Sequence, residues 1–273
     1  MVVGGESPIG VFDSGLGGLT VLRSLIDLMP NESLVYIGDT ARYPYGNKPP
    51  AQVRDYAVEL ATSLVHDHGA KLIVVACNTA AAVALDVLAS TLPVPVIGVV
   101  EPGARALVRV THNGKVGVIG TLGTISSGAY ARAVEMIGAD VVLTSAACPG
   151  FVEFVERDQT DGEEVTLLAT HLLAPLKAVG VDALLLGCTH YPYLASVIQS
   201  VMGDGVVLVS SANETAFSVR DLLESQAIEA PAKAVGERHF YSSGDVDAFA
   251  TLGRRLLGPE LRGVSRWTKG TSP

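Results

Sequence analysis

The sequence predicts an α/β protein made of two similar halves, each built on a mainly parallel sheet. Three observations carry this. Apolar runs of strand length alternate along the chain with longer helical segments, as in parallel-sheet folds. Of the 273 residues 48% are hydrophobic and only 17% are charged, which suits sheets covered on both faces. The chain also repeats itself: "IGVFDSGLGG" from Ile9 is similar to "VGVIGTLGTI" from Val116, with Gly10, Val11 and Ser14 opposite Gly117, Val118 and Thr121, 107 positions on.

Taken in order, strands are expected near 9–13, 34–38, 71–76, 95–99, 115–120, 140–145, 182–187, 206–210 and 238–242. The clearest helices fall at 17–29, 51–68, 79–91, 124–137, 163–179, 191–202, 212–225 and 245–257. Most are opened by Ser, Thr, Asn, Asp or Pro, the residues that satisfy or dispense with the free N–H groups of a first turn. The tail "SRWTKGTSP" is expected to fray.

Composition excludes several classes of function. Asn78, Asp86 and Pro93 break the longest apolar runs well short of the ~18 residues that a membrane span needs. The start "MVVGGESPIG" has neither the basic region nor the apolar core of a signal peptide, so a cytoplasmic protein is expected. A net charge of −9 argues against nucleic acid or an anionic membrane as partner. Three cysteines, Cys77, Cys148 and Cys188, are too few for a secreted disulfide scaffold; in a reducing compartment all are thiols.

Chemistry concentrates at strand ends. "IVVACNTAA" and "LLLGCTHYP" each run an apolar strand into a cysteine followed by amide, hydroxyl or imidazole groups, and Cys77 and Cys188 lie 111 residues apart. That spacing nearly matches the repeat. Equivalent strand ends from two halves would enclose one cleft with a thiol on each wall. Placed before helices, both thiols are expected to have lowered pKa values. Cys148 has no counterpart in the repeat and reads as structural. "DSGLGG" places Asp13 and Ser14 at the end of the first strand before a glycine-rich turn. It lacks the lysine of a phosphate loop, which leaves carboxylate binding by Ser14 and proton transfer by Asp13 as the alternative. Zinc on Cys77, Cys188 and His190 remains open, although Cys-x-His is not a paired-ligand spacing.

The motifs "GVFDSGLGGLTV", "YIGDTARYPYG", "VACNTAA", "CPGFVEFVE" and "LGCTHYP" occur in the order and at the spacing of the glutamate racemases, and the chain resembles that family from residue 9 to about 215. The resemblance implies two α/β domains related by a pseudo-twofold axis, residues 1–97 with 210–273 and residues 98–209, and an active site in the cleft between them. It implies catalytic thiols at Cys77 and Cys188, with Asp13 supporting the first and His190 and Glu156 the second. Glu153 lies one turn from Glu156 and competes for that place. Glutamate would be held by Asp13, Ser14, Tyr45, Gly46, Asn78, Thr79, Thr124, Thr189 and His190. Tyr193 stands where the family usually has an aliphatic residue.

By the same resemblance the enzyme needs no cofactor and no metal, works on glutamate in the cytoplasm and supplies D-glutamate for peptidoglycan, hence for cell-wall biogenesis and cell shape. A homodimer stays open beside a monomer. About eight residues precede the first strand, so the long extension of activator-dependent members is not expected and activity should need no nucleotide-sugar precursor. A related amino-acid racemase or hydantoin-type isomerase, and a thiol-dependent or metal-bound ligand-binding protein without turnover, are the alternatives.

Overall fold

The computed structural model describes residues 4–269. Along the chain come β1 (Ile9–Asp13), α1 (Leu19–Leu28), β2 (Leu34–Gly38), α2 (Pro50–His66), β3 (Leu72–Val75), α3 (Asn78–Thr91) and β4 (Val96–Gly98). Helix α4 (Val100–Val110) leads into β5 (Lys115–Gly120), α5 (Leu122–Ser126), α6 (Ala129–Ile137), β6 (Val142–Ala147), α7 (Phe151–Glu156), α8 (Glu163–Val179), β7 (Ala183–Gly187), α9 (Ala195–Met202) and β8 (Val207–Val209). The chain returns through α10 (Ser211–Gln226) to β9 (Arg238–Ser242), α11 (Val246–Leu257) and β10 (Ser265–Arg266).

Two parallel sheets result, ordered β10-β9-β2-β1-β3-β4 and β6-β5-β7-β8. The order β2-β1-β3-β4 in the first is the order β6-β5-β7-β8 in the second. The repeat read from "IGVFDSGLGG" is therefore a repeat of topology, with β5 standing for β1 and β7 for β3. In each sheet the chain departs to opposite sides of the central pair, β1 with β3 and β5 with β7. That arrangement leaves a crevice at the carboxyl ends of the pair.

The period of two along β5 and β7 divides the second half's core. Val116, Val118, Ala183 and Leu185 are fully buried on one face, in a cluster continuous with the first half through α4, α6 and α10. Ile119, Leu184 and Leu186 point the other way and pack with residues of α8 and α9. Every position of β1, β2, β3 and β7 is buried, which accounts for their unbroken apolar runs. Among the described residues no helix is long and apolar enough to cross a membrane.

The structure departs from the expected elements in several places, among them the unexpected short helix α7. Helix α4 was hidden by Pro102 and Gly103, but a proline in the first turn gives up an N–H that has no helical partner anyway. The helix expected at 124–137 is two, because Gly128 takes a left-handed conformation (φ 68°) and the Ser127 hydroxyl accepts from the Ala129 N–H at 3.1 Å, starting a new helix. The segment expected as a helix from 191 opens with a 3-10 turn, Tyr191–Leu194, before α9. The tail does not fray over 265–269. Ser265 and Arg266 pair with β9, and Trp267 is buried, its indole N–H donating to Ser63 Oγ at 3.0 Å. The rest of that tail lies outside the described residues.

Candidate active site

Both cysteines sit at the crevice of their own sheet. Cys77 directly precedes α3, two residues past Val75 at the end of β3, and Cys188 directly follows β7. Asp13 closes β1 and Ser14 follows it. The two edges meet: Thr79 Oγ1 on the first lies 2.9 Å from Thr121 Oγ1 and 3.2 Å from Thr124 Oγ1 on the second. Thr121 and Thr124 are themselves 3.0 Å apart. Nearby the Tyr130 hydroxyl donates to Asn78 Oδ1, and the Thr189 hydroxyl reaches Asp13 Oδ1 at 3.5 Å. Asp13, Ser14, Cys77, Asn78, Thr79, Thr124, Cys188, Thr189 and His190 are all buried. So many polar groups in one buried seam mark a site rather than a core.

Two glycines allow this approach. A Cβ on Gly17 would lie 2.3 Å from Thr189 Oγ1 and 2.6 Å from His190 Nδ1. One on Gly46 would lie 2.7 Å from Thr121 Cβ. The "GLGG" of the first motif thus serves the contact of the two halves.

Around the first thiol, the Cys77 S–H donates to Ser14 Oγ at 3.6 Å. Burial and the neighbouring Asp13 carboxylate push this thiol up to about 12, against the pull of the Ala80 N–H and of the Ser14 side chain and backbone. The lowered value expected from a helix start is corrected here. Desolvation of a thiolate costs more than the few N–H groups return. Asp13 is also raised by burial, with His190 and the N–H groups of Gly15, Gly18 and Ser14 pulling the other way.

Around the second thiol, Cys188 Sγ lies 3.9 Å from His190 Nδ1, and His190 Nε2 lies 3.1 Å from Glu156 Oε1. The contact is with Glu156, at the end of α7, and not with Glu153. Burial alone would lower His190, but its contacts with Cys188 and Glu156 outweigh burial and push it up to about 10. An imidazolium therefore stands beside this sulfur at neutral pH. Beyond the pair, a cavity of about 220 Å³ is lined by Leu16, Glu156, His190, Tyr193, Leu252 and Arg255. Tyr193 is a wall of that cavity, and its phenol is raised to about 12 by burial and then by Asp13.

The Tyr45 hydroxyl is committed to a carboxylate outside the thiol pair. It donates to Asp39, which also accepts from Arg42 Nε at 2.7 Å and Ser243 Oγ at 2.7 Å. What the Tyr45–Gly46 turn presents to the seam is backbone: a Cβ on Gly123 of α5 would lie 3.0 Å from the Gly46 carbonyl oxygen. Sequence reasoning passed over Asp39, Arg42, Thr121 and Tyr130. Only Thr121 had left a signal, as the repeat partner of Ser14. Cys148 is buried, and its thiol is raised to about 12 by burial and by Cys188.

The Asp/Glu/Hydantoin racemase model matches residues 9–217. The glutamate racemase of Corynebacterium glutamicum is 51% identical over 260 residues, covering 94% of each chain. Among solved structures, glutamate racemase isoform RacE1 from Bacillus anthracis superposes with a TM-score of 0.92 at 40% identity, covering 97% of this chain and 98% of the other. The Francisella tularensis glutamate racemase, solved in complex with D-glutamate, gives 0.90 at 33% identity over the same shares. With the family's motifs gathered at the seam of two repeated sheets, and with relatives this close over nearly the full length, the chain belongs to the Asp/Glu/Hydantoin racemase family.

Proposed function

We infer that this protein is a glutamate racemase that moves the Cα proton with two thiols and no cofactor. The single observation that carries the reading is the placement of Cys77 and Cys188 at equivalent crevices of two repeated sheets. Inverting an amino-acid centre means removing a proton from one face and delivering another to the opposite face, which takes two acid/base groups. Starting from L-glutamate, Cys188 is the base, beside the His190–Glu156 pair, and Cys77 is the acid. A thiol held up at about 12 carries its proton at neutral pH, as an acid must. Starting from D-glutamate the charge states and roles exchange.

The substrate is held without arginine. Ser14, Asn78, Thr79, Thr124 and Thr189, with backbone N–H groups at the start of α3 and the Tyr45–Gly46 turn, are the donors we assign to its carboxylates. Fixed donors in a water-poor seam also stabilise the charge that develops at the Cα carboxylate as the proton leaves. Residues 1–97 with 210–273 form one catalytic wall in this reading and 98–209 the other. The enzyme acts in the cytoplasm, supplying D-glutamate for peptidoglycan and so for cell-wall biogenesis and cell shape.

The test is a chiral assay on purified, metal-depleted protein without pyridoxal phosphate or nucleotide sugar. Either pure enantiomer of glutamate should be carried to the racemate. Turnover that begins only after one of those additions would overturn the cofactor-free mechanism.

A further inference from the structure

Tyr43, in the loop after β2, belongs to the first half in sequence but packs against the apolar cluster of the second. Its ring centroid lies 6.0 Å from that of His190, with the planes at 41°. On its other side it lies over the glycine turn, where a Cβ on Gly15 would be 3.2 Å from the ring. The ring therefore bridges the seam between the "DSGLGG" turn and the imidazole that faces Cys188. Its hydroxyl oxygen is buried and finds no hydrogen-bond partner among the described residues. The ionisable groups acting on it are, in order, Glu156, Cys188, Glu153 and Asp13.

A buried phenol without a partner calls for an explanation, because an unsatisfied buried donor is destabilising. Packing alone would be served by phenylalanine. The surroundings supply a reason for the hydroxyl, since Glu156, Cys188, Glu153 and Asp13 can all carry negative charge. Burial and these neighbours raise the phenol far above its ordinary value, so it stays protonated and keeps a proton to donate.

We propose that Tyr43 is a positioning residue for the Cys188 half of the reaction: its ring holds His190 against Cys188 and keeps water out, and its hydroxyl steadies the negative charge shared by Cys188 and Glu156. The proposal rests on the racemase reading above. It goes beyond that reading in assigning to one wall of the site a residue that reaches over from the other.

The two steps of racemisation are separable by isotope effects on kcat/KM measured from each enantiomer labelled with deuterium at Cα. From L-glutamate the label moves in the step at Cys188, and from D-glutamate in the step at Cys77. If Tyr43 serves Cys188, Tyr43→Phe should lower kcat/KM about ten-fold and Tyr43→Leu about a hundred-fold. The fall should be equal in both directions, since enantiomers have equal free energy. The isotope effect from L-glutamate should rise in both variants while that from D-glutamate falls, with the thermal midpoint of the Phe variant unchanged. A Phe variant with wild-type rate and isotope effects would overturn the role of the hydroxyl. A fall in rate with both isotope effects unmoved would mean a structural role only and overturn the proposal as a whole. Wild-type protein that leaves both enantiomers unchanged would overturn the racemase reading, and the proposal with it.

Discussion

Cys77→Ala and Cys188→Ala should each lower racemisation by about four orders of magnitude, the upper end of what a positioned acid/base group contributes. The reason lies in the geometry. Each thiol sits at the crevice of a different sheet, and the titratable group beside each is already committed to other partners. Asp13, beside Cys77, accepts from the Gly15 N–H at 3.0 Å and from the Thr189 hydroxyl at 3.5 Å, and His190, beside Cys188, is held by Glu156. Both variants should fold, because each replacement removes one sulfur from a site already rich in polar contacts. Cys148→Ala is the control. Its thiol is buried against the second cluster, so it should cost about 1 kcal/mol of stability and keep most activity. Activity assays of the three variants, with thermal melts to verify folding, check this, and either single alanine variant racemising at near wild-type rate would contradict the two-thiol mechanism.

Gly17→Ala should reduce activity by at least about a hundred-fold, the scale of loss that follows a displacement of order 1 Å at a reacting group. The added methyl would lie 2.3 Å from Thr189 Oγ1 and 2.6 Å from His190 Nδ1, distances that no carbon adopts without something moving. What must move is the contact between the first glycine turn and the residues after Cys188. Gly69→Ala serves as the comparison, since nothing lies within 4 Å of a Cβ there, although its φ of 66° is strained for alanine. That substitution should cost some stability and leave kcat intact. A Gly17→Ala enzyme with unchanged kcat and KM would mean that the two walls do not need this approach.

The sequence made much of this legible, and the physical reasons are visible in particular residues. Fully buried strands such as β1, β3 and β7 announce themselves as unbroken apolar runs, and the repeat gave the pairing of their ends. Elements that rest on tertiary contacts did not. Strand β10 is two residues long and exists because Trp267 finds a pocket beside Ser63 and Arg42, which no local pattern reveals. Helix α7 has six residues and begins at a left-handed Gly150, too short for its period to show. In the site, motif residues came together at the seam, whereas the groups that orient them were hidden. The bond from Tyr45 to Asp39 and the position of Tyr43 over His190 join segments whose proximity depends on the folded loop after β2. The thiol environment was misjudged in direction for Cys77, because a helix start is visible in sequence and the depth of burial is not.

The central claim is that two thiols act on opposite faces of one carbon, and solvent labelling tests it most directly. Protiated L-glutamate is incubated with the enzyme in D₂O, and the enantiomers are separated at low conversion and weighed by mass spectrometry. With Cys188 removing the proton and Cys77 delivering one drawn from solvent, D-glutamate should carry deuterium at Cα from the first turnovers while the remaining L-glutamate stays nearly unlabelled. Label entering L-glutamate as fast as D-glutamate forms would contradict the account by pointing to one base serving both faces, and unlabelled D-glutamate would contradict it by requiring the same proton to cross from face to face.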